Sequence, residues 1–111
     1  MTVPVLVPVA ELADVVRSKN AGPFELTLDI VFTRREQFDL VARERAISRE
    51  WVAEAYGVPV ADVGEPVYYA PARAVKVTLR RPLVSGAVGD TDVYGAQQHG
   101  PLLALRLPAA P

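Results

Sequence analysis

The sequence contains no cysteine, which excludes a disulfide framework, a thiolate nucleophile and a zinc–thiolate centre. It has no excess of charge of either sign, since 12 basic residues stand against 13 acidic ones for a net charge of −1. That balance supplies no electrostatic attraction to DNA, RNA or anionic lipid, so neither nucleic acid nor a membrane is expected as a partner. Long hydrophobic runs are also missing. The apolar stretch from Val3 to Ala10 is interrupted by Pro4 and Pro8. It has no basic flank of the signal-peptide kind and is far shorter than the roughly 20 residues of a membrane span. A cytoplasmic protein is therefore expected. The nucleophile elbow, the P-loop, the dinucleotide fingerprint and the H-E-x-x-H zinc motif are all absent.

What is present is a chain of 111 residues, half of them apolar, which suits one domain over residues 1–111 that can bury its own core. Residues 1–9, with their prolines, read as an extended arm or edge strand. Leu12, Val15 and Val16 form an i, i+3, i+4 stripe, which predicts a short helix over Ala10 to Ser18. Asn20, Gly22 and Pro23 then mark a helix exit and tight turn. From Phe24 to Phe32, the residues Phe24, Leu26, Leu28, Ile30 and Phe32 alternate with Glu25, Thr27, Asp29 and Val31. This is the period-two pattern of a half-buried strand.

Thr33 and Glu36 have capping-box spacing, predicting a helix to about Arg45 with Phe38 and Val41 turned inward. Ser48 reads as the N-cap of a further helix, with Ile47 and Val52 as its hydrophobic staple, Gly57 as its C′ residue and Trp51 as a core anchor. Val67 to Ala70 and Ala74 to Arg80 read as strands, and Leu102 to Leu107 as a last one before a frayed tail at 108–111. The implied fold class is α+β. Helices cover one face of a mainly antiparallel four-stranded sheet in the split β-α-β manner.

Between the last two strands lies Ser85 to Gly100, with four of the seven glycines, two aspartates, a tyrosine and the only histidine. Structureless loops of this length are usually functional or disordered. Gly86 and Gly89 suit a chain reversal, or a nest of backbone N–H groups for an anion. Asp90, Asp92 and His99 carry donor atoms for a divalent ion, yet carboxylates at i, i+2 cap turns equally well, so no metal site is assigned. His99 is the side chain that titrates near neutrality and the natural general acid or base. Arg17, Ser18, Lys19 and Asn20 form a second cluster. It is readable as a dipole-complementing helix end or as an anion-binding corner in which Lys19 meets a carboxylate and Asn20 donates an amide hydrogen bond. Glu25, Asp29, Lys76 and Arg80 make a mixed-sign sheet face, solvated or used in association.

R-S-K-N-A-G-P-F-E-L-T-L-D-I-V-F (Arg17 to Phe32), Y-Y-A-P-A-R-A-V-K-V-T-L (Tyr68 to Leu79) and G-D-T-D-V-Y-G-A-Q-Q-H (Gly89 to His99) resemble signatures of a small uncharacterised bacterial family. That family is similar to the ferredoxin-fold domain attached to AtuA-like (acyclic terpene utilisation) proteins. The relative has R-S-G-D-K-G in the place of Arg17 to Gly22. Lys19-Asn20 stands where it has Gly-Asp, so a catalytic carboxylate inferred there does not carry over.

The resemblance implies a ferredoxin-like fold and a small chain partnered by a larger AtuA-like protein, in the degradation of branched acids or acyl thioesters. The reaction expected in that setting is that of a hydro-lyase, a hydratase or dehydratase acting on a carboxylate or acyl-CoA. Such chemistry needs a base for the proton α to the carbonyl, an acid for the leaving hydroxyl and an anion clamp. His99, Asp92 and Lys19 are the candidates for catalysis. Arg17, Ser18, Asn20, Gly86, Gly89, Asp90, Tyr94 and Gln98 are the candidates for substrate binding. The sequence names no cofactor. A non-catalytic module that docks on the large subunit, or a self-associating protein that uses its sheet face, would share most of these features.

Overall fold

A computed structural model describes residues 5–22, 24–80 and 105–111. Strand β1 (Leu6–Pro8) leads into a one-turn helix α1 (Val9–Leu12), then β2 (Ala13–Gly22) and β3 (Glu25–Phe32). Helices α2 (Arg35–Glu44) and α3 (Arg49–Tyr56) follow, then β4 (Val67–Tyr69), β5 (Ala74–Arg80) and finally β6 (Arg106–Pro108). The main sheet has the order β2-β3-β5-β4 with every neighbouring pair antiparallel. With α2 and α3 packed on one face, the architecture is α+β and consistent with a ferredoxin-like fold.

The core lies between those helices and the sheet. Leu26, Leu28, Ile30 and Phe32 of β3 and Val75, Val77 and Leu79 of β5 meet Phe38 and Val41 of α2 and Val52 and Ala53 of α3. Each such side chain contributes roughly 1.5–3 kcal/mol when fully removed from water. Phe24, expected on this inward face, precedes β3 and is exposed.

The helix expected over Ala10 to Ser18 is not formed. One turn, Val9–Leu12, is helical, and Ala13–Gly22 is a ten-residue edge strand. Val15 and Val16 are β-branched, which weakens a helix too short to stand alone. Pairing with β3 from Ala13↔Phe32 to Gly22↔Glu25 satisfies the backbone instead. Asn20 and Gly22 therefore belong to the strand, with a bulge between them. The helix exit and tight turn expected at Asn20 and Gly22 are therefore not what these residues form.

The capping box at Thr33 is also replaced. Arg34 occupies the N-cap of α2 without a side-chain cap, and Thr33 Oγ1 instead donates to Asp14 Oδ1 at 2.8 Å. The α3 reading holds in detail. The Trp51 N–H donates to Ser48 Oγ at 3.1 Å, and Gly57 closes the helix at φ 65°. Ile47 and Val52 are both buried, and Trp51 packs against the core while remaining partly exposed. Ser48→Ala is expected to lower stability by about 1 kcal/mol, measurable as a shifted denaturation midpoint with unchanged slope.

Strand β6 does not join the main sheet as expected. It pairs antiparallel with β1, Val7 opposite Leu107, in a separate two-stranded ribbon. Nor is the C-terminal tail frayed. Gln37 Nε2 donates to the Pro108 carbonyl at 2.9 Å, and the Ala110 N–H donates to Gln37 Oε1 at 2.8 Å. An Arg34 terminal nitrogen donates to the Pro111 carbonyl at 3.0 Å.

Candidate functional site

No helix packs on the second face of the main sheet among the described residues, and its geometry follows from strand register. In antiparallel strands, directly opposed residues share a face. The pairings Arg17↔Asp29, Asp29↔Lys76 and Lys76↔Val67 align one residue from each strand into a row crossing the whole sheet. The next row is Val15, Val31, Ala74 and Tyr69. A charged row therefore lies beside an apolar one. On the other side of the charged row, Lys19 faces Thr27, and Thr27 faces Thr78.

All of these two rows but Val15, with Ala72 from the turn between β4 and β5, line a cleft of about 410 Å³. Its lining includes Arg17, Asp29, Lys76, Val31, Val67 and Tyr69. The volume falls within the range of small-molecule sites. Asp29 is only 7% exposed, whereas Val67 and Tyr69 are 58% and 59% exposed on the edge strand. Arg17 Nε donates to Asp29 Oδ2 at 3.3 Å while the arginine side chain stays 65% exposed. That contact engages one of the five N–H groups of a guanidinium. Lys76 makes no ion pair among the described residues. Two cations thus flank a single carboxylate.

The sequence-derived binding cluster divides between the two faces. Arg17 lines the cleft and Lys19 stands one row away on the same face, opposite Thr27. Ser18 and Asn20 are opposite Leu28 and Leu26 and so belong to the core-facing side, where Ser18 is buried. A single corner built from Lys19 and Asn20 at a helix end is not what forms, because alternation in a strand separates adjacent residues. Gly86, Gly89, Asp90, Asp92, Tyr94, Gln98 and His99 lie outside the described residues, as does the rest of the loop from Ser85 to Gly100. In the sequence, Asp29 and Lys76 read as members of one charged face with no register to align them. Val31 reads only as an outward strand position and Val67 and Tyr69 only as strand residues, with nothing to mark them as lining a cleft.

Two other features sit on the core side and are structural. Tyr68 Oη donates to the Ile47 carbonyl at 2.7 Å, and burial pushes its phenol above the ordinary tyrosine range. Burial raises Tyr56 further still. No group of three or more metal-ligating side chains occurs among the described residues. No helix among them is long and apolar enough to cross a membrane.

A family model described as a domain of unknown function, DUF4387, matches residues 9–106. The chain belongs to the DUF4387 family. The DUF4387 match begins at the first residue of α1 and ends in β6, so every cleft residue falls within it. No curated protein and no solved structure matches the chain.

Proposed function

We propose that this DUF4387 domain is the small subunit of a two-component enzyme whose large subunit is AtuA-like. The assembly is a hydro-lyase, a hydratase or dehydratase acting on a carboxylate or acyl-CoA substrate. The supporting observation is the sheet face itself. It carries the cations Arg17 and Lys19 on β2 and Lys76 on β5, and Lys76 neighbours the exposed apolar edge that Val67 and Tyr69 form on β4. The cations suit an acidic substrate, and the apolar edge suits contact with a larger protein. In the dehydration direction a base removes the proton α to the carbonyl, an acid protonates the departing hydroxyl, and water leaves as the C=C bond forms. His99 and Asp92 are the proposed acid and base, with Lys19 as the anion clamp.

Co-expression with an AtuA-like partner tests this reading. The two chains should co-purify and dehydrate a hydroxy acid together, while the isolated chain should show no turnover. Robust turnover by the isolated chain, or failure to co-purify, would count against it. Lys19→Ala removes an exposed charge from an edge strand and should lower stability by well under about 1 kcal/mol. Activity of the assembled pair should nevertheless fall at least about tenfold, equivalent to roughly 1.4 kcal/mol of transition-state stabilisation.

The exposure of Val67 and Tyr69 also favours a second reading, a non-catalytic docking module that stabilises the large subunit. In that case alanine at Lys19 and His99 leaves the activity of the pair intact, and charged residues at 67 and 69 abolish assembly.

A further inference from the structure

The cleft on the sheet face opposite α2 and α3 allows the acid-directed reading to be taken one step further, to where an acid would sit. Its charged row contains two cations and one carboxylate, Arg17, Asp29 and Lys76. Arg17 and Lys76 are separated by one intervening strand, which sets their backbones about 10 Å apart. Both side chains are long enough to converge above Asp29. Asp29 can neutralise one of them, so the row keeps an uncompensated positive charge. Guanidinium groups take carboxylates through paired N–H donors, and a lysine beside one adds a point charge. The adjacent row contributes no polar side chain except the Tyr69 hydroxyl, because Val15, Val31 and Ala74 occupy the rest.

We propose that this cleft binds a small monocarboxylic acid with a short or branched alkyl body. Its carboxylate lies between Arg17 and Lys76, and its alkyl group lies over Val31, Ala74 and the Tyr69 ring. The inference rests on the acid-directed reading above and deepens it by naming the residues and the ligand class. A dicarboxylate would set its second charge against the apolar row, and a neutral amide would leave the cations unmatched. The cleft therefore selects for one charge and one apolar end. Asp29 takes part as an internal competitor that holds Arg17 in place until a ligand carboxylate displaces part of that contact.

The test is a titration of the isotopically labelled full chain with 3-methylbutanoate, followed by backbone amide NMR shifts. Saturable shifts in β3, β4 and β5 around Asp29, Tyr69 and Lys76 are expected. 3-Methylbutanamide should give none, and acetate should bind at least about fivefold more weakly. Lys76→Met should weaken 3-methylbutanoate at least tenfold. Asp29→Asn, which relieves Arg17 of its internal partner, should tighten binding several-fold. A merely structural ion pair would give no such gain.

Absence of saturable shifts in the native chain, equal binding of the amide, or unchanged affinity in Lys76→Met would each overturn the proposal. Co-purification with the AtuA-like partner is scored separately. Loss of acid binding with assembly preserved removes the cleft assignment alone. Failed assembly with acid binding preserved removes the two-component reading.

Discussion

Gln37→Ala is expected to lower stability by roughly 2–3 kcal/mol, a large effect for a polar residue on a helix. Gln37 is 2% exposed and its side-chain amide is used at both ends, as donor to the Pro108 carbonyl and as acceptor from the Ala110 N–H. Alanine would leave both half-buried backbone groups without their partner, and an orphaned polar group costs about 1–3 kcal/mol less any compensation from water. The effect should spread along the chain. Freed at Pro108 and Ala110, the tail would keep the β1–β6 ladder with its buried Leu107, the bond from the Ala109 N–H to the Val5 carbonyl and the Arg34 contact. Amide exchange in Arg106 to Ala110 should therefore accelerate more than exchange in the main sheet.

Gln37→Glu separates hydrogen bonding from packing. It retains the acceptor for Ala110 but turns a carboxylate toward the Pro108 carbonyl. Burial and that facing lone pair raise the folded-state pKa of the new acid above its unfolded value. The folded state then holds the proton more tightly, so the stability it contributes is complete below the unfolded pKa of about 4.3 and is lost as pH rises through the folded value. Denaturation midpoints of Gln37→Glu that do not fall between acidic and neutral pH would show that the amide carries no such role.

The contrast between Gln37 and Ser48 explains what was legible in the sequence. Ser48 caps a helix through the N–H of Trp51, three residues away, and that chemistry is written locally. Gln37 bonds to residues 71 and 73 positions away, and nothing around Gln37 marks it. Strand β3 was legible from its alternation because one of its faces is apolar throughout. Strand β2 was not, since Leu12, Val15 and Val16 fit a helical stripe, while the ladder that decides the matter is supplied by β3. A periodicity argument counts side chains on one face and cannot see the partner strand. The cleft was half legible for the same reason. Charges on alternate positions of β3 and β5 could be assigned to one side, but the row from Arg17 through Asp29 and Lys76 to Val67 exists only through three registers. Asn20 and Gly22 read as a helix exit for the same reason, since their preference for turns says nothing of a strand that runs on through them to pair with β3.

Phe32→Ala should have the largest effect on stability of any single change considered, about 3–5 kcal/mol. Phe32 is 0% exposed and ends the central strand β3, opposite Ala13 of β2. Arg73 holds both polar groups of its backbone, with the Phe32 N–H donating to the Arg73 carbonyl at 2.8 Å and the Phe32 carbonyl accepting from Arg73 Nε at 3.0 Å. Those bonds restrain the backbone, so the surroundings cannot collapse fully into the space left by the ring. The cavity term is then added to the lost transfer energy. Domains of this size are stable by about 5–15 kcal/mol, so Phe32→Ala removes a large share of the total.

Phe32→Leu, which keeps much of the volume, should lose only roughly 1–2 kcal/mol and guards against a variant that fails to fold. Trp51→Ala supplies the opposing test. Tryptophan is the larger side chain, but Trp51 is partly exposed at the margin of the core, so about 1–2 kcal/mol is expected once its solvated portion is discounted. Urea denaturation of the three variants at matched slopes should order them Phe32→Ala well below Phe32→Leu and Trp51→Ala. If Trp51→Ala proved as damaging as Phe32→Ala, the centre of the core would lie under α3 and not at the end of β3.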